Sequence, residues 1–150
     1  MAQSFNCLHY HIVFSTKHRE PTIPPTSQDR LYSYIGGTLR SEKCILLAAG
    51  GVADHIHLLC RLTQQHAVAD VVRVVKANSS KWVRDTGAIG AWGGWQSGYG
   101  AFTVSYSKIA VVKQYIAKQE VHHRKLTFQD EYRELLQRHG LEWNEQYVWD

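Results

Sequence analysis

Residues 44–62, CILLAAGGVADHIHLLCRL, set two apolar runs almost end to end. The first, CILLAAGGV (44–52), reads as a buried strand ending in a turn. The second, HIHLLCRL (55–62), reads as a strand close enough to pair with it as a hairpin. A hairpin in mid-chain limits what can stand on either side of it. Upstream, FNCLHYHIVFS (5–15) is rich in aromatic and β-branched residues and reads as a strand. TKHREPTIPPTS is broken by Pro21, Pro24 and Pro25 and reads as a loop. The next stretch, QDRLYSYIGGTLRSEK, sets Leu31, Ile35 and Leu39 at helical spacing, with Thr26 or Ser27 placed to cap it. Downstream, AVADVVRVVKANSSKWVRD (67–85) aligns Val68, Val71, Val72, Val75 and Ser79 on one helical face. TGAIGAWGGWQSGYGA, with Trp92, Trp95 and Tyr99 among its glycines, is expected to be a mobile loop. FTVSYS (102–107) is a last strand. SKIAVVKQYIAKQEVHHRK (107–125) is a helix with Ser107 as its N-cap, and FQDEYRELLQRHG (128–140) is a helix stopped by Gly140. The order is βαββαβ. That predicts an α+β, ferredoxin-like antiparallel sheet with two helices on one face and the other face open to carry a site.

The chain has 150 residues, which predicts one domain over 1–150. Apolar residues at 44% and charged residues at 20% are those of a soluble globular protein. No apolar run approaches the roughly 20 residues of a membrane span. The N-terminal stretch lacks the basic and long apolar regions of a signal peptide, so a cytoplasmic protein is expected. A net charge of +4 and a pI near 9.0 favour a polyanionic partner. Cys7, Cys44 and Cys60 lie far apart in strand-like surroundings and are expected to be buried reduced thiols.

His55 and His57 sit one residue apart in a strand, so their side chains share a face while Ile56 and Leu58 point into the core. Two imidazoles that close make half a metal site; the plain alternative is two histidines on a solvated sheet face. The 107–125 helix offers a complement. Tyr115 and Gln119 are spaced i, i+4 and share a helix face. A tyrosine hydroxyl and a neutral oxygen ligand beside a histidine pair suit phosphoryl transfer; the alternative is an exposed helical pair. His9 and His11 repeat the spacing, but no third ligand is apparent for them, and they are read as structural or close to DNA.

These segments together resemble the single-tyrosine HUH transposases of bacterial insertion sequences, in which two histidines flank a bulky hydrophobe. YHIVFSTKHRE (10–20) is similar to that family's first strand and its basic exit, DHIHLL (54–59) to its histidine motif, and NSSKWVR (78–84) to its second-helix signature. YIAKQEVHHRKLTFQDEY (115–132) resembles its tyrosine helix and the segment after it, and EQYVWD (145–150) its terminus. The resemblance implies a ferredoxin-like sheet. It implies Mg²⁺ or Mn²⁺ held by His55, His57 and Gln119. It implies Tyr115 as the nucleophile that cleaves single-stranded DNA through a 5′-phosphotyrosine and releases a 3′-hydroxyl for later strand joining. It further implies hairpin-bearing DNA ends as the partner and a homodimer with composite active sites.

Lys17, Arg19, Arg73, Lys76, Lys81 and Arg84 are candidate DNA contacts, with His18 and Trp82 beside them; a solvated surface charge is the alternative for each cation. The loop at 87–100 is either a base-contacting element or a packing lid. His122 and His123 suit a phosphate contact or a hinge, and Asp54 suits orienting the His55 imidazole. Other functions that fit are a domesticated hairpin-repeat DNA nuclease or binding protein, a non-catalytic nucleic-acid-binding module, and a metal-dependent phosphodiester hydrolase.

Overall fold

Four strands form one sheet: β1 (His9–Ser15), β2 (Ile45–Val52), β3 (His55–Arg61) and β4 (Gly100–Val104). Their order is β2-β3-β1-β4 and every neighbouring pair is antiparallel, in a computed structural model that describes residues 2–150. Helix α1 (Pro25–Ser41) joins β1 to β2, and helix α2 (Val68–Thr86) joins β3 to β4. This is the βαββαβ order read from the sequence. No described helix is long and apolar enough to cross a membrane.

The even-numbered residues of β1 and β3 supply the main core. Ile12, Phe14, Ile56 and Leu58 pack with Leu31, Ile35 and Leu39 of α1 and Val71, Val72 and Val75 of α2. Each such side chain stabilises the fold by roughly 1.5–3 kcal/mol when buried, so this layer holds the sheet and leaves the other face free for polar groups.

That other face is not open. Helices α3 (Ile109–Ala117), α4 (Gln119–His122) and α5 (Phe128–Arg138) cover it. Val13 and Phe102 pack with Phe128, Tyr132, Leu135 and Leu136, while Leu59 and Val104 pack with Ile116. The sequence lists these helices plainly, but nothing local says which surface they return to. The sheet thus offers no exposed platform for stacking RNA bases.

Other expectations are corrected in detail. Strand β2 is a half-buried edge strand, with Ile45 42% exposed, because only β3 pairs with it. Helix α1 starts at Pro25 after Pro24, the favoured place for proline, so neither Thr26 nor Ser27 caps it. Instead the Ser27 hydroxyl donates to the Ala88 carbonyl at 2.7 Å and ties α1 to the end of α2. The helix expected over 107–125 opens with a 3₁₀ turn at Tyr106–Lys108 and kinks at Lys118, and Ser107 makes no cap. Gly140 does end α5, with φ +67°. Cys44 and Cys60 are buried, but Cys7 precedes β1 and is exposed.

The glycine- and tryptophan-rich segment is pinned. The indole N–H of Trp95 donates to Ser79 Oγ and that of Trp92 to Ser80 Oγ, both at 2.9 Å. Gln96 accepts from the Ser15 N–H at 2.8 Å and donates to the Asp150 carbonyl at 3.1 Å. Lys76 Nζ donates to the carbonyls of Gln96 and Gly98 at 2.8 and 2.6 Å. The segment packs as a lid over α2 and the end of β1.

Candidate metal and tyrosine site

Pairing register sets the histidines. His55 lies opposite Ser15 and His57 opposite Val13 on β1, on the face under α3, α4 and α5. Both side chains are fully buried. The neighbour of His57 on β2 is Gly50. A Cβ on Gly50 would lie 2.3 Å from the Ile116 carbonyl oxygen, so only glycine lets α3 settle onto the strand there. That close approach seats Tyr115, the residue before Ile116, over the histidines. The kink at Lys118 then turns Gln119 inward, where it is 1% exposed.

The Nε2 atoms of three histidines converge on one carboxylate. Glu131 Oε1 lies 3.3 Å from His55, 2.9 Å from His57 and 3.1 Å from His123. Gln119 Oε1 is 3.2 Å from His55 Nε2 and 3.0 Å from His123 Nε2. Each imidazole is tied outward through its other nitrogen. His55 Nδ1 donates to Asp54 Oδ1 at 2.7 Å, and His123 Nδ1 donates to the Leu126 carbonyl at 2.7 Å. His57 Nδ1 meets His11 Nε2 at 2.8 Å. With outward N–H donors on His55 and His123, their inward Nε2 atoms face oxygen acceptors, an arrangement satisfied by a proton on Nε2 or by a cation in the middle.

The donor atoms fit one. The ligand atoms of His55, His57, His123 and Glu131 all lie within 4.8 Å of one another. Ligands on bonds of about 2.1 Å stand roughly 3–4 Å apart around a shared ion, and the His–Glu131 separations of 2.9–3.3 Å are close to that spacing. The cluster could therefore hold a divalent metal. Imidazole-rich sites suit transition ions, while carboxylate and amide oxygens suit Mg²⁺ and Mn²⁺; Mn²⁺ accepts both kinds.

Charge in the site is tightly balanced. Burial alone would raise the Glu131 carboxyl, but hydrogen bonds from His123, His55 and His57 outweigh it and hold the group ionised far below the usual carboxylate range. Burial pulls down the His55 imidazole, yet its bonds to Asp54 and Glu131 and their charges leave it raised. Burial dominates at His57 and lowers it. Burial, with the neighbouring His57, pushes His11 down to about 3. The Tyr115 hydroxyl donates to Glu131 Oε2. Burial and the Glu131 charge keep that phenol protonated well above its ordinary range.

Tyr115, His55, His57 and Gln119 are thus brought together, the juxtaposition that the family resemblance implied. Asp54 takes up the orienting contact expected of it, and His11 proves to be the brace of His57. His123 and Glu131 went unassigned as ligands. His123 had only its place beside the tyrosine helix to mark it, and Glu131 lies in the first turn of α5, where a carboxylate reads as a helix-dipole partner.

The cations read as DNA contacts lie outside the cluster. Lys17 and His18 are exposed, His18 and Arg19 occupying left-handed backbone at φ 58° and 56°. Arg19 lies over the Trp149 ring. Arg73 pairs with Asp70, Lys81 with Asp85, and Arg84 bonds Ser80. Lys76 is committed to the lid. Trp82 stacks on Tyr34, with Arg30 over it. A cleft of about 580 Å³ that includes His18, Arg19 and Arg124 reaches Asp54 and His123.

Known proteins resemble this chain to differing extents. Over 121 residues the chain is 26% identical to the ISDra2 transposase TnpA of Deinococcus radiodurans, covering 75% of this chain and 84% of that protein. A crystal structure of a transposase candidate from Deinococcus radiodurans R1 superposes with a TM-score of 0.62 at 26% identity, covering 79% of this chain and 96% of the other. A REP-associated tyrosine transposase bound to a REP hairpin shares the fold, with a TM-score of 0.58 at 15% identity over 82% of this chain and 74% of the other. Residues 4–119, which span the whole sheet and end on Gln119, match the family model "Transposase IS200 like". Strands, histidine pair and tyrosine helix all fall inside that match, and the chain belongs to the IS200-like transposase family.

Proposed function

We propose that this protein is a metal-dependent transposase that cleaves and rejoins single-stranded DNA at hairpin-bearing element ends, with Tyr115 as nucleophile. The observation that carries the reading is the position of the Tyr115 hydroxyl. It is bonded to the same buried carboxylate on which the Nε2 atoms of His55, His57 and His123 converge.

The residues divide the work. Tyr115 Oη passes its proton to Glu131 Oε2 and attacks the scissile phosphorus as the P–O3′ bond breaks. The phosphoryl group stays on the tyrosine as a 5′-phosphotyrosine, and the departing strand leaves with a 3′-hydroxyl after taking up a proton. Glu131 Oε2 aligns the phenol through its hydrogen bond. His55, His57 and Gln119, with His123 and Glu131 beside them, would hold Mg²⁺ or Mn²⁺. Such an ion polarises a phosphate oxygen and neutralises charge developing there. Asp54 and His11 fix the imidazoles that face the phosphate. No nucleotide cofactor is required, because the phosphotyrosine ester keeps the energy of the broken phosphodiester for the joining step.

The basic pI supports a DNA partner, and Lys17, Arg19, Arg73, Lys81 and Arg84 are proposed backbone contacts around the domain. Lys76 is proposed to act by holding the lid beside them. The hairpin-bound neighbour supports a hairpin substrate through its likeness of fold. A homodimer with composite sites and a cytoplasmic setting complete the proposal; within a single chain Tyr115 already lies against its own His57.

The test is covalent trapping. Protein and labelled single-stranded DNA carrying the flanking hairpin are mixed with Mn²⁺ or Mg²⁺, or with chelator, and run on a denaturing gel. A metal-dependent shifted band, lost in Tyr115→Phe and in His57→Ala, is the expected result. Adducts that persist in Tyr115→Phe would overturn the assignment of the nucleophile, and cleavage without any adduct would identify a hydrolase.

A further inference from the structure

Tyr115 also forms the inner end of a second cavity, a cleft of about 510 Å³ between α3, α5 and the edge strand β4. That volume is within the roughly 300–1,000 Å³ of small-ligand sites. Its wall includes Val111, which is 60% exposed, and the exposed His139, whose ring stacks on the buried Phe102 with centroids 4.4 Å apart. Its cations are Lys108 and Arg138. Arg138 also lines a smaller pocket of about 290 Å³ that reaches Tyr115 and Glu131. Among the described residues neither cation is in an ion pair, although Glu134 lies one turn before Arg138 and lines the same small pocket. An arginine at a helix C-terminus ordinarily complements the helix dipole. That role does not account for one that shares both cavities with the nucleophile. Its charge reaches Tyr115, where it acts against the burial and the Glu131 charge that raise the phenol.

We infer that this cleft receives the nucleotide next to the scissile phosphodiester, its base on the His139–Val111 surface and its phosphate on Arg138 and Lys108. The inference rests on the transposase reading of Tyr115. A strand presented to the Tyr115 hydroxyl must continue past it. The cleft offers that strand an apolar wall for one base and two unpaired cations for its backbone, the pairing by which single strands are held.

Two labelled DNAs test this by fluorescence anisotropy: the hairpin alone, and the hairpin with the single-stranded extension that wild-type protein cuts in the trapping assay. Arg138→Gln is expected to bind the extended DNA about three- to tenfold more weakly, with a salt slope smaller by about one, and to leave hairpin binding unchanged. Arg138→Lys should restore most of the loss. Val111→Asp, at an exposed position, should weaken the extended DNA alone. Equal losses on both DNAs, or none, would overturn the inference. So would a change in sedimentation of either variant without DNA, which would make the cleft an interface between copies of the chain. If wild-type protein forms no adduct, the transposase reading falls and this inference with it. If wild type forms adducts and Arg138→Gln binds as wild type does, only the inference falls.

Discussion

The hydroxyl of Tyr115 donates to the carboxylate of Glu131, a residue two helices further along the chain whose other oxygen faces three histidines. The proposed nucleophile and the proposed metal cluster are therefore joined through a single side chain. Its burial at 1% exposure leaves it no partners but these.

Glu131→Gln keeps the shape of that side chain and removes its charge. Mn²⁺ affinity, read by isothermal titration or by loss of the free Mn²⁺ paramagnetic resonance signal, should fall at least about tenfold. Unchanged affinity would show that Glu131 braces the histidines without binding the ion. Asp54→Asn, which weakens only the orienting contact to His55, should cost less than Glu131→Gln in the same titration.

Acid should destabilise the fold through His11. Its folded-state pKa is lowered from 6.5 to about 3, so between those values the unfolded chain holds a proton that the folded chain lacks. Stability then falls as pH falls through that window, by about 1.4 kcal/mol per pH unit from this group alone. The depressed His57 and Glu131 act in the same direction, while the raised His55 contributes fully throughout. Urea midpoints at pH 7 and pH 5 should differ less in His11→Gln, which can keep a hydrogen bond to His57. An equal difference in both proteins would assign the acid sensitivity elsewhere.

Gly50→Ala distinguishes a strand glycine from a contact glycine. In a strand interior alanine is ordinarily the better residue by roughly 0.5–1 kcal/mol. Here the new methyl meets the Ile116 carbonyl at 2.3 Å, so α3 must move. The variant should be less stable by about 1–3 kcal/mol and trap far less DNA, because Tyr115 moves with Ile116. A more stable or fully active variant would show that α3 is not seated by this approach.

Ser79→Ala tests the lid. Ser79 is fully buried and accepts the Trp95 indole N–H. Removing its hydroxyl leaves that donor unpaired, at a cost of about 1–3 kcal/mol in chemical denaturation. It should also speed proteolysis within residues 87–100. No change in either measurement would mean that Trp95 is held by packing alone.

What the sequence determined by itself was whatever depends on near neighbours along the chain. A two-residue period puts His55 and His57 on one face, and a four-residue spacing puts Tyr115 and Gln119 on one side of a helix. Apolar runs and helical periodicity mark the strands and α1 and α2 to within a few residues, and the hairpin at their centre orders them into a βαββαβ sheet. The joining of those pairs was legible only through resemblance to a family. The rest was decided by tertiary structure. Glu131 reads locally as an acidic residue in the first turn of a helix, and it is a buried centre of charge only because α5 folds back over the sheet. The kink at Lys118 aims Gln119 inward, and the glycine at 50 admits α3, through contacts between segments far apart in sequence. Such contacts leave no periodic trace, because they arise from how helices pack across a sheet rather than from the spacing of residues within either one.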